Sequence, residues 1–452
     1  MTHSEDQRPT PAEGSAAGPA GGQAGGQAAT LTEVPDWRRL VGLDDVEAAA
    51  ERLEPLAVLT PLQRNDRLCA QVGAEVFLKR EDLQTVRSYK IRGAYNFIAS
   101  LDPETLLPGV VCASAGNHAQ GVAWSCRRLH VRGAVFLPRR TPRQKVSRIR
   151  ALAGDLVDVR FAGDSFDDAN AAAVDYAAST GAVVVPTFDH PLTVAGQGTI
   201  ALEVVRQLGR PPDAVVVPVG GGGLVAGIAV ALDGMEAPTE VIGVQPAGAP
   251  AMLRSLEAGR PVTIDITDDF VDGAVVRRPG ALTFAVVREL LPDLEVVDEG
   301  RVCTEQLALY QDDGIVAEPA GALSLAALEQ LTPRLAGRTV VCVLSGGNND
   351  VARYDEIVER SLVSQGLKHY FIVAFPQQPG ALRRFLDECL GPTDDIVLFE
   401  YMKKNDREFG PALVGIELAD RQDLTPLLGR IAESGLDVQR VPPDSPLFHL
   451  LV

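Results

Sequence analysis

Short apolar segments rich in β-branched residues recur along this chain, and patterns typical of amphipathic helices separate them. Apolar runs of this length are typical of strands buried on both faces of a parallel sheet. Their alternation with helices over roughly 300 residues predicts an α/β fold with mainly parallel sheets. In such folds functional groups collect on loops at the carboxyl ends of strands. The predicted strands are residues 75–79, 110–113, 133–137, 183–185, 214–219, 241–244 and 339–344.

The pattern changes near residue 366. The last segment reads as strand, helix, two strands, helix and strand, which predicts a separate βαββαβ domain. At the other end, the sequence Gly-Gly-Gln-Ala repeats within a Gly- and Ala-rich stretch that cannot bury apolar surface. We therefore expect a disordered tail at 1–30, a main body at 31–366 and a small domain at 367–452. The small domain's predicted elements are residues 369–375, 379–390, 395–403, 411–418, 424–434 and 437–441.

The formal net charge of −18 argues against nucleic acid or an anionic membrane as a partner. A basic run from Arg139 to Arg150 lacks interleaved aromatic residues and reads as a solvated helix face. The six cysteines lie far apart, without metal-ligand spacing, so we expect free thiols in a reducing compartment and no bound metal. The sequence shows neither an apolar run long enough for a membrane span nor an N-terminus of the signal-peptide type. We therefore expect a cytoplasmic protein.

Lys90 stands in the segment Ser88-Tyr89-Lys90-Ile91-Arg92-Gly93-Ala94, which leads into an apolar helical pattern. A lysine in the first helical turn is poorly placed for the helix dipole, which favours anions there. Lys90 could form a Schiff base with an aldehyde cofactor, whose phosphate would prefer helix N-termini nearby. The alternative is a solvated surface lysine, which this segment alone does not exclude.

Four glycines, Gly220, Gly221, Gly222 and Gly223, separate the predicted strand at 214–219 from a helix that begins near Leu224. Glycines at such a junction expose backbone N–H groups at a helix N-terminus, which is a ready phosphate site. The run also fits a G-x-G-x-x-A pattern, so a dinucleotide fold is an alternative. Glu240 begins the next predicted strand instead of ending it, however, which argues against a ribose-binding acid. Tight packing without a ligand is a third interpretation.

Two further loops follow predicted strands. Residues 114–121, with the sequence Ser-Ala-Gly-Asn-His-Ala-Gln-Gly, could clamp a carboxylate through a hydroxyl, an amide and backbone N–H groups. Residues 345–348, Ser-Gly-Gly-Asn, end the strand at 339–344 in the same way. Either loop alone would indicate only an ordinary strand-to-loop turn.

Together the four segments resemble those of the fold-type II pyridoxal-phosphate enzymes, the tryptophan synthase β-subunit superfamily, and most closely the threonine dehydratases. The resemblance covers roughly residues 40–365, although Tyr89 stands where phenylalanine is commoner. It implies two mainly parallel α/β subdomains and pyridoxal 5'-phosphate bound to Lys90. It further implies phosphate binding by Gly220 to Leu224, an Asn117 contact to the cofactor's 3'-oxygen, and Ser345 facing the pyridine nitrogen. The implied substrate-carboxylate loop comprises Ser114, Ala115, Gly116, Asn117 and His118.

Residues 368–452 are similar to the ACT-like regulatory domain of biosynthetic threonine dehydratases, with the turn Pro379-Gly380-Ala381-Leu382 as the marker. The resemblance implies β-elimination of water from L-threonine to give 2-oxobutanoate and ammonia, the first step towards isoleucine. It also implies inhibition by isoleucine and a homotetramer. A neutral Ser345 hydroxyl suits elimination better than transamination, because it cannot hold the pyridine nitrogen protonated as an aspartate would.

Three alternatives stay open at this point. A serine dehydratase or serine racemase of the same superfamily would share every cofactor residue. A catalytically silent amino-acid sensor would use only the small domain, and a nicotinamide-dependent oxidoreductase would use the glycine run differently. Asp272 and Gly273 resemble a further turn of the family, and neither Asp272 nor Glu318 has an assigned role.

Overall fold

The computed structural model describes residues 34–291, 293–401 and 408–442, together with residues 445 and 447. The predicted tail at 1–30 lies outside the described residues. Among the described residues, the main body contains ten strands: β1 (Leu62–Arg64), β2 (Glu75–Arg80), β3 (Val110–Ala113), β4 (Gly133–Leu137), β5 (Val157–Phe161), β6 (Val183–Val184), β7 (Ala214–Pro218), β8 (Glu240–Pro246), β9 (Leu294–Val297) and β10 (Thr339–Leu344).

Helices connect these strands and begin and end at residues suited to the purpose. Ser165 accepts a hydrogen bond from the Asp168 backbone at one helix start, and Gly181 ends the same helix with a φ of 79°. The helices are α1 (Leu43–Leu53), α2 (Asp66–Val72), α3 (Lys90–Ala99), α4 (Asn117–Leu129), α5 (Arg143–Ala153), α6 (Phe166–Thr180), α7 (Pro191–Leu208), α8 (Gly223–Gly234), α9 (Ala251–Ala258), α10 (Ala281–Leu290), α11 (Glu299–Gln311), α12 (Pro319–Ala326), α13 (Leu328–Leu335) and α14 (Tyr354–Ser364).

The strands of the main body form two sheets. The larger has the order β1-β2-β10-β7-β8-β9, and every neighbouring pair is parallel except β1 with β2. The smaller has the order β5-β4-β3-β6 and is wholly parallel. The prediction of two mainly parallel α/β subdomains is confirmed. Strands β3, β4 and β10 have the predicted bounds, whereas β1, β5 and β9 were not predicted.

Alternate residues of the central strands enter different apolar cores. In β10, Val340 and Cys342 pack into one core of the larger sheet, while Val341 and Val343 pack into the other. Because successive strand side chains point to opposite faces, this division buries both faces of the sheet under helices. The near-continuous apolar sequence of β10 is the consequence.

The C-terminal domain comprises β11 (Lys368–Pro376), α15 (Ala381–Cys389), β12 (Asp395–Tyr401), β13 (Phe409–Glu417), α16 (Leu424–Glu433) and β14 (Asp437–Val441). The predicted βαββαβ order is confirmed, and the sheet is antiparallel in the order β12-β13-β11-β14. The end of the predicted strand at 395–403 lies outside the described residues. This domain has its own apolar core, drawn entirely from residues 371–438.

All six cysteines are free thiols, as predicted, and five of them are buried. Within the described ranges, no helix is both long enough and apolar enough to cross a membrane.

A cluster of four buried charges holds α3 in place. The Arg92 guanidinium, 1% exposed, donates to Glu81 at 2.8 Å and to Glu203 on α7 at 2.6 Å. Lys79 on β2 donates to the other oxygen of Glu203 at 2.6 Å. Burial, the largest single influence, would raise the pKa of Glu81, but the charge and hydrogen bonds of Arg92, together with Lys79 and Thr60, outweigh it and the pKa is lowered. The two basic and two acidic side chains therefore compensate one another's charge.

Arg92→Leu should destabilise the protein by about 3–5 kcal/mol, because it leaves two buried carboxylates facing a single lysine. The control is Arg254→Leu, which removes an exposed ion pair with Glu257 and should cost less than about 1 kcal/mol. Urea unfolding of both variants measures the difference. Equal stabilities would show that the cluster does not hold α3.

Candidate active site

Hydrogen bonds join three of the four segments singled out in the sequence, and the fourth, the glycine run, lies against Phe188, next to the Thr187 carbonyl that Lys90 contacts. The loops after β3, β7 and β10 begin at the carboxyl ends of their strands, as predicted, and α3 begins beside them. The Tyr89 backbone N–H donates to the Ser345 carbonyl at 3.1 Å. The Asn348 side chain donates to Asn117 Oδ1 at 2.8 Å. These bonds join the lysine segment to the loop after β10, and that loop to the one after β3.

Lys90 differs from the other two lysines of the main body. Lys79 donates to Thr60, Glu203 and Gln207, and Lys145 pairs with Asp272 at 3.0 Å. Lys90 is half-buried, lies 5.2 Å from the centre of the Tyr89 ring, and has a long 3.4 Å contact to the Thr187 carbonyl. Its amine is the one best able to react.

His118 cannot act as an acid or base near neutral pH. Burial, together with the neighbouring Lys90 charge, lowers the pKa of His118 to about 3. The neutral ring therefore donates its Nε2–H to the Val185 carbonyl at 3.0 Å. The loop from Ser114 to Asn117 is half-buried. It lies at the N-terminus of α4, where backbone N–H groups are free to bind an anion.

The glycine run leaves no room for side chains at two of its positions. A Cβ at Gly221 would lie 2.5 Å from the Phe188 ring, and a Cβ at Gly222 would lie 2.6 Å from Met252 Cε. Gly222 also has a φ of 92°, which L side chains rarely adopt. The run opens directly into α8, so its backbone N–H groups lie at the positive end of that helix.

Two serines place polar atoms in the same region. Ser345 is buried, and its hydroxyl donates to the Ala320 carbonyl at 3.1 Å. The Ser88 hydroxyl is buried without a hydrogen-bond partner, and Ser88 forms a β-bridge with Gly346. An orphaned buried hydroxyl is uncommon in a folded protein and is typical of a site that receives a polar ligand.

Glu318 lies beside these residues, although no role for it was predicted from the sequence. It is 6% exposed, and its Oε1 accepts a hydrogen bond from Asn117 Nδ2 at 2.6 Å. Burial and the negative charge of Asp272 raise the pKa of Glu318 to about 7. The signal in the sequence was a carboxylate directly before Pro319, the first residue of α12.

Two interpretations of the sequence are settled by contacts. Glu240 forms ion pairs with Arg334 and Arg338 and is therefore not free to bind a ribose. This argues against the alternative of a dinucleotide-binding fold. The basic run is mostly exposed, as expected for a solvated face, but Lys145 pairs across the two subdomains with Asp272. In the part of the chain that is described, no group of three or more metal-ligating side chains is present.

A half-buried lysine at a helix start, a glycine run at the start of a second helix and a serine after a buried strand are the features expected of a pyridoxal-phosphate enzyme. Residues 53–346 match the family of pyridoxal-phosphate-dependent enzymes. Residues 359–451 match the C-terminal regulatory domain of threonine dehydratase.

Whole-chain relatives narrow the class. The biosynthetic L-threonine dehydratase of Mycobacterium bovis is 55% identical over 94% of this chain and 100% of its own length. That of Bacillus subtilis is 47% identical, over 91% of this chain and 98% of its own. The chain therefore belongs to the family of biosynthetic threonine dehydratases and uses pyridoxal phosphate.

Solved structures agree on the fold. The processed form of threonine deaminase isoform 2 from Solanum lycopersicum superposes with a TM-score of 0.68 and 35% identity, covering 75% of this chain and 95% of its own. Maize serine racemase superposes with a TM-score of 0.66 and 29% identity, covering 72% of this chain and 99% of its own. The catalytic fold is thus shared between dehydratases and racemases.

Gly222→Ala should weaken cofactor retention roughly tenfold or more, the equivalent of ~1.4 kcal/mol, because the methyl group distorts the cradle. The matched control is Gly259→Ala, since Gly259 also has a positive φ, 68°, but no atom lies within 4 Å of its Cβ. Both variants should lose ~1–2 kcal/mol of stability to backbone strain. Cofactor content after dialysis, read from absorbance, separates them; equal retention would favour packing alone as the reason for the glycines.

Proposed function

We propose that this protein converts L-threonine to 2-oxobutanoate and ammonia, the first step towards isoleucine. The observation that carries the proposal is the meeting of Lys90, the glycine cradle, Asn117 and Ser345 at the carboxyl ends of three strands. The relatives of matching length and domain content are named for the same reaction.

The residues that would hold the cofactor come from four loops. Lys90 would bind its aldehyde carbon, and the backbone from Gly220 to Leu224 its phosphate. Asn117 would donate to its 3'-oxygen, and the Ser345 hydroxyl would face its pyridine nitrogen. When bound, pyridoxal phosphate withdraws electrons from the substrate α-carbon and so makes the α-proton acidic.

The chain's own groups then perform the elimination. Backbone N–H groups and the hydroxyl of the loop from Ser114 to His118 hold the threonine carboxylate. The free Lys90 amine would remove the α-proton of the bound threonine. The β-hydroxyl leaves as water, and the released enamine tautomerises and hydrolyses to 2-oxobutanoate and ammonia.

A serine dehydratase or serine racemase is the second candidate, because maize serine racemase shares the catalytic fold. The C-terminal domain favours the threonine enzyme, since its match is to the regulatory domain of threonine dehydratase. A silent sensor would have no use for a lysine left without an ion pair beside a glycine cradle.

We place the boundary of the regulatory domain between residues 366 and 367. The apolar cores of the main body use no residue beyond Ile357, and that of the small domain begins at Phe371. We further propose that isoleucine binds as an effector in a pocket of this domain. We also propose that the protein is cytoplasmic and assembles as a homotetramer.

Helix α14 offers a physical route for regulation. Glu359 on α14 pairs with Lys368 and accepts from the Tyr370 hydroxyl at 2.5 Å, both on β11.

The next residue, Arg360, binds Asp268 at 2.6 Å, and Arg353 donates to the Phe270 carbonyl at 2.9 Å. Movement of the regulatory sheet would therefore reach the loop at 268–273, which borders Glu318 through Asp272 and Gly273.

Purified wild-type protein should form 2-oxo acid from threonine with a higher kcat/KM than from serine. Lys90→Ala should abolish turnover, because both the cofactor linkage and the base for the α-proton are lost. Lys90→Arg, which keeps the charge but lacks the primary amine, should be equally inactive. Near-normal 2-oxobutanoate production by either variant would overturn the assignment of Lys90, whereas a preference for serine would overturn that of the substrate.

Truncation after residue 366 should remove inhibition by isoleucine and leave catalysis, because every proposed cofactor residue lies upstream. Tenfold inhibition requires about 1.4 kcal/mol of coupling, which vanishes with the domain. Threonine titrations of both proteins with and without isoleucine, alongside light scattering to follow subunit assembly, make the measurement. Equal inhibition of both proteins would place the effector site in the catalytic body.

A further inference from the structure

Both ends of the Asn117 side-chain amide are held by other side chains. Its Oδ1 accepts from Asn348 Nδ2 at 2.8 Å, and its Nδ2 donates to Glu318 Oε1 at 2.6 Å. Asn348 Nδ2 also donates to the Val86 backbone carbonyl at 2.8 Å. Asn117 lies more than 200 positions away from each of these two partners in the sequence.

A backbone carbonyl fixes the direction of this chain of hydrogen bonds. The Val86 carbonyl can only accept, so the amide of Asn348 must present its NH₂ group there. The second N–H of that group then faces Asn117, which must present its oxygen in return. The Asn117 NH₂ group is thereby turned towards Glu318, and one of its two N–H bonds stays available for a ligand.

We propose that Glu318 and Asn348 are positioning residues that fix the Asn117 amide so that an N–H, not the carbonyl, is directed at the bound cofactor. The inference rests on the proposed contact between Asn117 and the cofactor's 3'-oxygen. That oxygen is anionic in the reactive form and needs a donor. An amide rotated by half a turn would set an oxygen lone pair against it.

The charge state of Glu318 suits this role. Its carboxylate accepts from Asn117 whether or not its other oxygen carries a proton. Burial and the Asp272 charge favour the protonated form, while the Asn117 hydrogen bond, Lys145 and the Asn348 backbone oppose it, and the pKa is about 7. Near neutral pH, Glu318 therefore does not add a full negative charge beside an anionic oxygen.

The test uses the full-length protein with its cofactor bound. The variants are Asn117→Ala, Glu318→Leu, Glu318→Gln, Asn348→Asp and the double variant Asn117→Ala with Glu318→Leu. The readout is the pH midpoint of the change in absorbance of the bound cofactor, with kcat and KM measured separately. Glu299→Leu is the control for loss of a buried carboxylate, since Glu299 is also 6% exposed and accepts from the Gly248 backbone at 2.6 Å.

Loss of the N–H donated to the 3'-oxygen should raise the midpoint by about one pH unit, a tenfold change in the ionisation equilibrium. Asn117→Ala, Glu318→Leu and Asn348→Asp should share this shift and lower kcat more than they raise KM. Glu318→Gln keeps an acceptor and should stay within about threefold of wild type. Glu299→Leu should leave the midpoint unchanged even if it lowers the melting temperature.

The double variant decides between positioning and general support. If Glu318 acts through Asn117, the double variant should show the same midpoint as Asn117→Ala alone; additive shifts would overturn the proposal. A pH midpoint that Glu318→Leu leaves unaltered would also overturn the proposal. A midpoint that changes in Glu318→Leu but not in Asn117→Ala would refute the contact between Asn117 and the cofactor, and it would leave the proposed threonine reaction untouched.

Discussion

The buried charges around Arg92 determine where the reactive lysine lies. Arg92 joins α3 to Glu81 after β2 and to Glu203 on α7, and Lys79 completes the cluster from β2. Residues two apart on a helix point roughly 200° away from each other. Arg92 is therefore directed into the protein interior while Lys90 is directed towards the loops of the site. Buried pairs contribute little net stability when intact, but breaking one is costly, so the cluster acts mainly to specify one position of α3.

The site is assembled from strand ends because the backbone there is free to bind. The loops after β3 and β7 run directly into α4 and α8, whose first N–H groups have no partner within the helix. In the proposed reaction, the substrate carboxylate and the cofactor phosphate would find donors at these two helices. The lysine comes from α3, a helix whose position the Arg92 ion pairs hold, which is why this anchoring matters.

Much of this was predictable from local sequence. The bounds of β3, β4 and β10 followed from their unbroken apolar runs, and the functional loops lie directly after β3, β7 and β10. Strands β1 and β5 were not predicted because they are short edge strands that contain polar residues, such as Asp158 and Arg160 in β5. Their sequences therefore show no clear hydrophobic period. The insertion of β10 between β2 and β7 depends on tertiary packing, which no local pattern specifies. Glu318 was missed for the same reason, since its partner Asn117 is 201 residues away.

The central claim is that Lys90 carries pyridoxal phosphate through a carbon–nitrogen bond to its Nζ. Borohydride reduction of the purified protein would make that bond permanent, and peptide mass mapping would locate it. The account predicts a single pyridoxyl adduct on Lys90, with Lys79 and Lys145 unmodified because their amines are held in ion pairs. An adduct on another lysine, with Lys90 unmodified, would contradict it.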